Sequence, residues 1–246
     1  HLEHAAALEP SWALPRLKCA NVLAVLRGDA QAAEKAYIEA LELETTHDAL
    51  YFFGQLQLKG GRFAEAAASF DRALVLDPGS DAARAGWQHS VAGQRALAQL
   101  LQEENRVAEA QSALRVAAEL EPTNAATLFN LGATCQHMGD AAEAASHFAA
   151  VAALPGAPAA LVADAHFSEA VARKELGALA EAEGAYRRAL SAAPDDSWSH
   201  RVHFNLGNLL RTAGRLDEAA DQFDAAIALR PRDADSFFQL RKLAKV

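Results

Sequence analysis

With 246 residues and a formal charge of −9, the chain lacks the basic face that general nucleic-acid binding requires. Its residues are 51% hydrophobic and only 7% aromatic, a composition for a finely divided helical core, and nothing in it suggests strands. The longest apolar stretch, Phe148 to Ala163, is interrupted by Pro155, Gly156 and Pro158, which excludes a membrane span.

In chain order, His1 to Pro10 reads as the tail of a second helix stopped by Pro10, within a preceding-helix segment 1–12. This start predicts a fragment of a longer array or protein. No basic region leads into an apolar core, so no signal peptide is expected. Six turn residues then follow: Gly28, Gly61, Asn105, Gly139, Gly177 and Gly214. Five residues after each stands Ala33, Ala66, Ala110, Ala144, Ala182 or Ala219. Nine after each stands Tyr37, Phe70, Leu114, Phe148, Tyr186 or Phe223, and twelve after each Ala40, Ala73, Ala117, Val151, Ala189 or Ala226. Spacings of five, nine and twelve fall near one side of a 3.6-residue helix. Seven residues before each turn lies Asn21, Gly54, Ala98, Gly132, Ala170 or Gly207, mostly small, where a second helix can approach closely. The pattern predicts antiparallel helix pairs at about 13–46, 47–80, 91–124, 125–158, 163–196 and 200–233.

Start and stop signals agree with this periodicity. Gly, or less readily Asn, supplies the positive φ of a helix reversal. Glu65, Glu109, Glu143, Glu181 and Glu218 stand four residues past their turns, at the positive end of the helix dipole. Pro78, Pro122, Pro194 and Pro231 stop second helices, Pro155 one residue early, and Thr45 occupies that place in the first pair.

Turn-to-turn spacings of 33, 44, 34, 38 and 37 residues mark three lengthened junctions. The largest addition is 81–90, where Ser80 caps a first helix that runs on to Glu104 without proline, about 36 Å at 1.5 Å per residue; Gly86 and Gly93 open the prospect of a break. The additions near Ala157 to Val162 and Asp195 to Ser199 read as longer loops. Residues 234–246 form a lone capping helix, expected to turn Arg241, Lys242 and Lys245 outward.

The units resemble the tetratricopeptide repeat, a helix–turn–helix of about 34 residues. Phe204-Asn205-Leu206-Gly207 through Gly214-Arg215-Leu216-Asp217-Glu218-Ala219-Ala220 to Pro231 carries the resemblance most fully, followed by Leu131-Gly132 through Ala144 and Gly54 through Ala66, Phe70, Ala73 and Pro78. It implies an all-α, right-handed α-solenoid of six helix pairs plus a C-terminal capping helix, one domain over 1–246. In such an array Cys19 and Cys135 lie three units apart, and at about 8–10 Å per helix layer they stand beyond the roughly 7 Å reach of a disulfide. Two free thiols point to a reducing, cytoplasmic compartment.

The resemblance also places the first helix of each pair on a concave face. One aromatic register recurs there: Tyr51, Phe129, Phe167, Phe204 and Phe238. As core, these rings pack between helices; as a site, their edges take the apolar side chains of a bound peptide. Polar residues beside them complete the candidate partner-binding set: Gln55, Asn130 and His137, then Lys174, Arg201 and Asn205, and finally Asn208, Arg211 and Lys242. Asn130 and Asn205 share a register, similar to the asparagine ladder of O-linked N-acetylglucosamine transferase, although Cys19, Phe52, Ala96 and Ser168 interrupt it. Lys18 fits a two-carboxylate clamp for chaperone tails, but Val22, Phe52, Ala92 and Ala96 depart from that pattern and disfavour it.

Catalytic and cofactor signals are missing. No phosphate-binding glycine loop, zinc cysteine cluster or activated nucleophile is present. His200 and His203 stand at a helix start beside Asp195 and Asp196 and read as solvated or capping residues. His137 and His147 are separated by a turn and show no paired carboxylate of matching spacing, so no metal or cofactor is expected. Trp87 is expected to seal the lengthened helix against the second pair. The reading is a non-enzymatic scaffold binding a protein or peptide segment, or a subunit of a larger complex, with no nucleic-acid or membrane partner. The alternative is a substrate-recruiting or regulatory domain of a larger enzyme of glycosyltransferase or hydroxylase type. Arg201, Arg211, Arg215, Arg230, Arg232, Arg241, Lys242 and Lys245 gather toward one end, and Glu39, Glu42, Glu44 and Asp48 toward the other.

Overall fold

A computed structural model describes residues 12–192, 196–232 and 234–243; side chains 196, 197, 234, 236 and 241–243 lie outside the described part, as does the expected helical tail before residue 12. Among the described residues there are thirteen α-helices and no strand. Helix α1 (Ala13–Val22) runs through a π-turn, Leu23–Arg27, and is followed by α2 (Ala30–Leu43), α3 (His47–Lys59), α4 (Phe63–Leu76) and α5 (Asp81–Glu103). Then come α6 (Val107–Leu120), α7 (Ala125–His137), α8 (Ala141–Ala153), α9 (Ala159–Glu175), α10 (Leu179–Ala192), α11 (Asp196–Thr212), α12 (Leu216–Leu229) and α13 (Ala234–Leu243). They pack as two compact units, His1–Glu104 with Glu119–Glu121, and Asn105–Ala118 with Pro122–Val246.

All six turn residues adopt the positive φ that the sequence requires, from 58° at Asn105 to 85° at Gly139. The alanines five residues later are completely buried, as are the residues twelve later. Between them, the large side chains from Tyr37 to Phe223 are at most 2% exposed. Full burial of such a side chain is worth about 1.5–3 kcal/mol, so this column supplies much of each pair's packing. Its partners are the small residues seven before the turn: a Cβ added at Gly132 would stand 2.9 Å from the Phe148 ring, and one at Gly207 2.8 Å from that of Phe223. In the first pair the small residue is replaced by Asn21, whose side-chain oxygen accepts a hydrogen bond from the Tyr37 hydroxyl at 2.5 Å. Burial pushes the Tyr37 phenol up to about 12.

Helix ends follow the expected chemistry. Asp29, Thr46, Ser80, Asn124 and Asp140 accept backbone N–H groups in the first turns of α2, α3, α5, α7 and α8. Thr45, in the place held elsewhere by proline, donates its hydroxyl to the carbonyl of Leu41.

The added residues depart from expectation. The first helices α3 and α7 have 13 residues, whereas α5 has 23 and α9 and α11 have 17 each. Residues 159–162 and 196–199 therefore extend helices instead of loops. Pro158 stands just before Ala159, where its missing N–H costs nothing, and the alanines after it favour helix. Asp195 lies outside the described residues. Nor does α5 break at its glycines. Gly86 faces Phe70 and Gly93 faces Phe63, each so closely that an added Cβ would fall within 2.5 Å of the ring. Two phenylalanines seven residues apart meet two glycines seven residues apart, and the glycines serve close approach. Trp87 is half-buried against the cluster of Leu50, Phe70 and Ala83, the seal expected of it.

Leu240 of α13 packs onto the cluster around Phe223, Leu206 and Leu210 and covers it. The outer side of α13 is less polar than expected, since Phe237 and Phe238 are 43% and 57% exposed. The side chains of Arg241, Lys242 and Lys245 lie outside the described part.

Candidate partner-binding face

In the second unit the first helices lie side by side. Gln136 of α7 donates to Glu175 of α9 at 3.4 Å. Trp198 of α11 donates its indole N–H to Asp164 of α9 at 2.8 Å and meets the Phe167 ring at 6.0 Å. The Arg201 guanidinium lies 5.0 Å over that same ring, a cation–π contact. The face thus presents alternating aromatic and polar groups.

The aromatic register is both core and surface. Tyr51, Phe129, Phe167 and Phe204 each meet the buried ring of their own pair's second helix, Phe70, Phe148, Tyr186 and Phe223, at centroid distances of 5.9, 5.3, 5.8 and 6.0 Å. All four are half-buried. Tyr51 also stacks on His47 and takes an edge-on contact from Phe52. In the first unit, Gln55 donates to the Tyr51 hydroxyl at 3.4 Å.

The polar candidates are more occupied than their sequence implies. Asn205 donates its amide to the carbonyl of Arg201 at 2.8 Å, and Asn208 donates to that of Phe204 at 3.1 Å. Each keeps its side-chain oxygen and a second N–H to meet a ligand. Asn130 is exposed, and so are His137, Lys174, Arg201 and Arg211. Lys242 falls on α13 with its side chain outside the described part.

The sequence named His137, Lys174 and Arg211 singly; the structure adds their shared place at helix ends. First helices α3, α7, α9 and α11 carry Lys59, His137, Lys174 and Arg211 in their last turns, while second helices α2, α4, α6, α8, α10 and α12 carry no basic residue there. Each suits the negative end of its helix dipole. In the second unit His137, Lys174 and Arg211 place positive charge along one edge of the face.

Two other networks were also missed. Arg62 bridges Glu34 of the preceding pair and Glu65 of its own; Arg215 does the same with Glu183 and Glu218. The acidic residues assigned above to the helix dipole are therefore also arginine partners, and Arg215 holds the Glu218 carboxyl below its usual range. The second network centres on Glu169, 3% exposed, which accepts from Arg173 at 2.9 Å and Arg188 at 3.3 Å with His166 nearby. Its signal was present: Ala20, Phe53, Leu97, Leu131 and Leu206 hold the equivalent register, so a carboxylate there is out of pattern.

A tetratricopeptide repeat family model matches residues 23–81 and 95–158, and a second one matches 200–233. The chain belongs to the tetratricopeptide repeat family. Its structure is similar to that of a chain in the APC/C hetero-tetramer Cut9–Hcn1, at 14% identity and TM-score 0.53, covering 98% of this chain and 44% of that one. It is similar as well to the C-terminal part of a TPR repeat-containing protein from Cytophaga hutchinsonii, at 12% identity and TM-score 0.55, covering 97% and 92%. A third likeness is to Naa15/Naa10 bound to HypK-THB, at 18% identity and TM-score 0.52, covering 100% of this chain and 36% of that one. The chain therefore spans less than half the length of the first and third of these. No curated protein sequence matches it. Among the described residues no helix is long and apolar enough to cross a membrane.

Proposed function

We propose that this tetratricopeptide repeat protein is a non-catalytic interaction scaffold that holds an extended, acidic segment of a partner protein against its first helices. The observation that carries the reading is the half-buried aromatic register, edged by exposed Lys174, Arg211 and His137 and interleaved with Asn130, Asn205 and Asn208. Half-exposed rings offer apolar area at little entropic cost, the amides satisfy a peptide backbone as water leaves, and the cations steer an acidic chain. Two of the similar structures are of multi-protein complexes, the APC/C hetero-tetramer and Naa15/Naa10 with HypK-THB, which supports a place in an assembly.

The test begins with affinity capture and mass spectrometry to identify a partner, followed by truncation to its minimal segment. Calorimetry then compares the wild type with the Asn130→Ala, Asn205→Ala double variant. Affinity should fall on the order of tenfold, about 1.4 kcal/mol, with helicity unchanged. Equal affinities would place the partner on another surface.

A further inference from the structure

Around the fourth turn, residues four before, four after and eight after Gly139 converge: Cys135 near the end of α7, and Glu143 and His147 one turn apart on α8. One ligand atom from each, the Cys135 Sγ, a Glu143 carboxylate oxygen and a His147 ring nitrogen, lies within 4.8 Å of the other two. His147 Nε2 and Glu143 Oε1 are 3.4 Å apart. That is about the spacing of two ligand atoms on a tetrahedral zinc ion with bonds of roughly 2.0–2.2 Å. The thiol is buried, whereas the His147 and Glu143 side chains are 23% and 28% exposed, so an ion reaches the sulfur from the solvent side between them.

In the second and fifth pairs the same three positions make polar contacts around a single carboxylate. In the second pair they are Gln57, Glu65 and Ser69, where Ser69 donates to Gln57 at 2.7 Å and Gln57 donates to Glu65 at 3.5 Å. In the fifth pair Arg173 binds Glu181 directly. The fourth pair alone places three metal-ligating side chains there. Its neighbours hold them in place: Gln111 donates to the Cys135 sulfur at 3.3 Å, and Arg115 bonds both Glu143 oxygens at 2.7 and 2.8 Å. A carboxylate has about four lone-pair sites, so Glu143 can keep Arg115 as an orienting outer partner while turning one oxygen to an ion.

We propose that Cys135, Glu143 and His147 form a binding site for a divalent ion of zinc type, with three protein ligands and one position open to water. On binding, the Cys135 S–H bond is lost, a sulfur–metal bond forms and the proton goes to solvent, with no change of oxidation state. Thiolate and carboxylate then balance the dication, and His147 binds as neutral imidazole. The ion joins α7 to α8 beside the Arg115 joint with α6.

The full chain is titrated with Co2+ and with Zn2+. One equivalent of cobalt should give a thiolate-to-cobalt charge-transfer band in the near ultraviolet that zinc abolishes. Cys19→Ser should keep the band and Cys135→Ser should lose it with unchanged circular dichroism. His147→Gln should weaken zinc binding on the order of tenfold or more in calorimetry. Absence of the band from the wild type, or its loss in Cys19→Ser but not in Cys135→Ser, would overturn the proposal. If Cys135→Ser does not fold, His147→Gln decides alone, and undiminished zinc affinity in that variant overturns it.

Discussion

The ring of Phe70 lies against Gly86, with its Cζ 2.5 Å from the place a Cβ would occupy, and it also meets the corresponding place at Gly54 at 3.0 Å. One buried ring therefore sets the approach of α4 to both α3 and α5. In a helix interior alanine is normally preferred to glycine by about 1 kcal/mol. Overpacking costs about 1–3 kcal/mol, so at Gly86 the clash outweighs the propensity. Gly86→Ala should lower unfolding stability in urea, and Gly184→Ala, where only the flexible end of Arg188 lies nearby at 3.5 Å, should raise it by about 0.5–1 kcal/mol. Two variants moving in the same direction would show that the ring does not set the spacing.

Glu169 supplies a test of whether a buried carboxylate stabilises its pair. Replacing a buried ion pair with apolar residues is often neutral or stabilising, while removing one partner strands the remaining charge. Glu169→Leu restores the apolar residue found at Leu131 and Leu206, and its freed arginines reach solvent. This variant should match or exceed wild-type stability. Arg173→Ala, which leaves Glu169 buried with Arg188 as its remaining arginine donor, should cost about 1.5–3 kcal/mol. Denaturant midpoints in the opposite order would mean that the carboxylate itself is the stabilising element.

The helix pairs were legible because each rests on local chemistry: positive φ at six turn residues, alanine where helices touch, and a large apolar side chain nine residues on. Pairs of helices announce themselves within about 34 residues. The lengthened helices were harder, because residues 159–162 and 196–199 carry no periodic core signal and only helix propensity decides their state. The face was legible as a register and illegible as chemistry. Nothing in a sequence says that Asn205 turns its amide onto Arg201, or that Arg215 reaches Glu183, 32 residues away. Cys135, Glu143 and His147 show the same limit, since i,i+4 spacing brings Glu143 and His147 together but only the hairpin adds the thiol.

Acid should weaken the Arg115–Glu143 joint in a defined direction. The Arg115 hydrogen bond holds the Glu143 carboxyl below its usual range, so near pH 4 the folded chain carries fewer protons at this site than the unfolded one. Its contribution is complete above the unfolded carboxylate value of about 4.3 and is lost as pH falls through the lower folded value. Urea unfolding between about pH 6 and pH 2 should show a shallower acid decline in Glu143→Gln than in the wild type. Identical slopes would contradict the assignment.

Charge should act on association. If Lys174 and Arg211 steer an acidic segment, reversing both to Glu lowers the on-rate more than it raises the off-rate. The wild-type on-rate should fall as added salt shortens the screening length from about 10 Å at 0.1 M toward about 3 Å at 1 M. Stopped-flow rates indifferent to salt and to the reversal would leave these cations as ordinary solvated groups.

The most direct measurement is site-specific photo-crosslinking of the minimal partner segment, with the reactive group placed in turn at Asn130 and Asn208 on the first helices and at Arg187 on a second helix, where the side chain is 61% exposed. The first-helix account predicts crosslinks from Asn130 and Asn208 and none from Arg187. Crosslinks from Arg187 with none from Asn130 or Asn208 would contradict it.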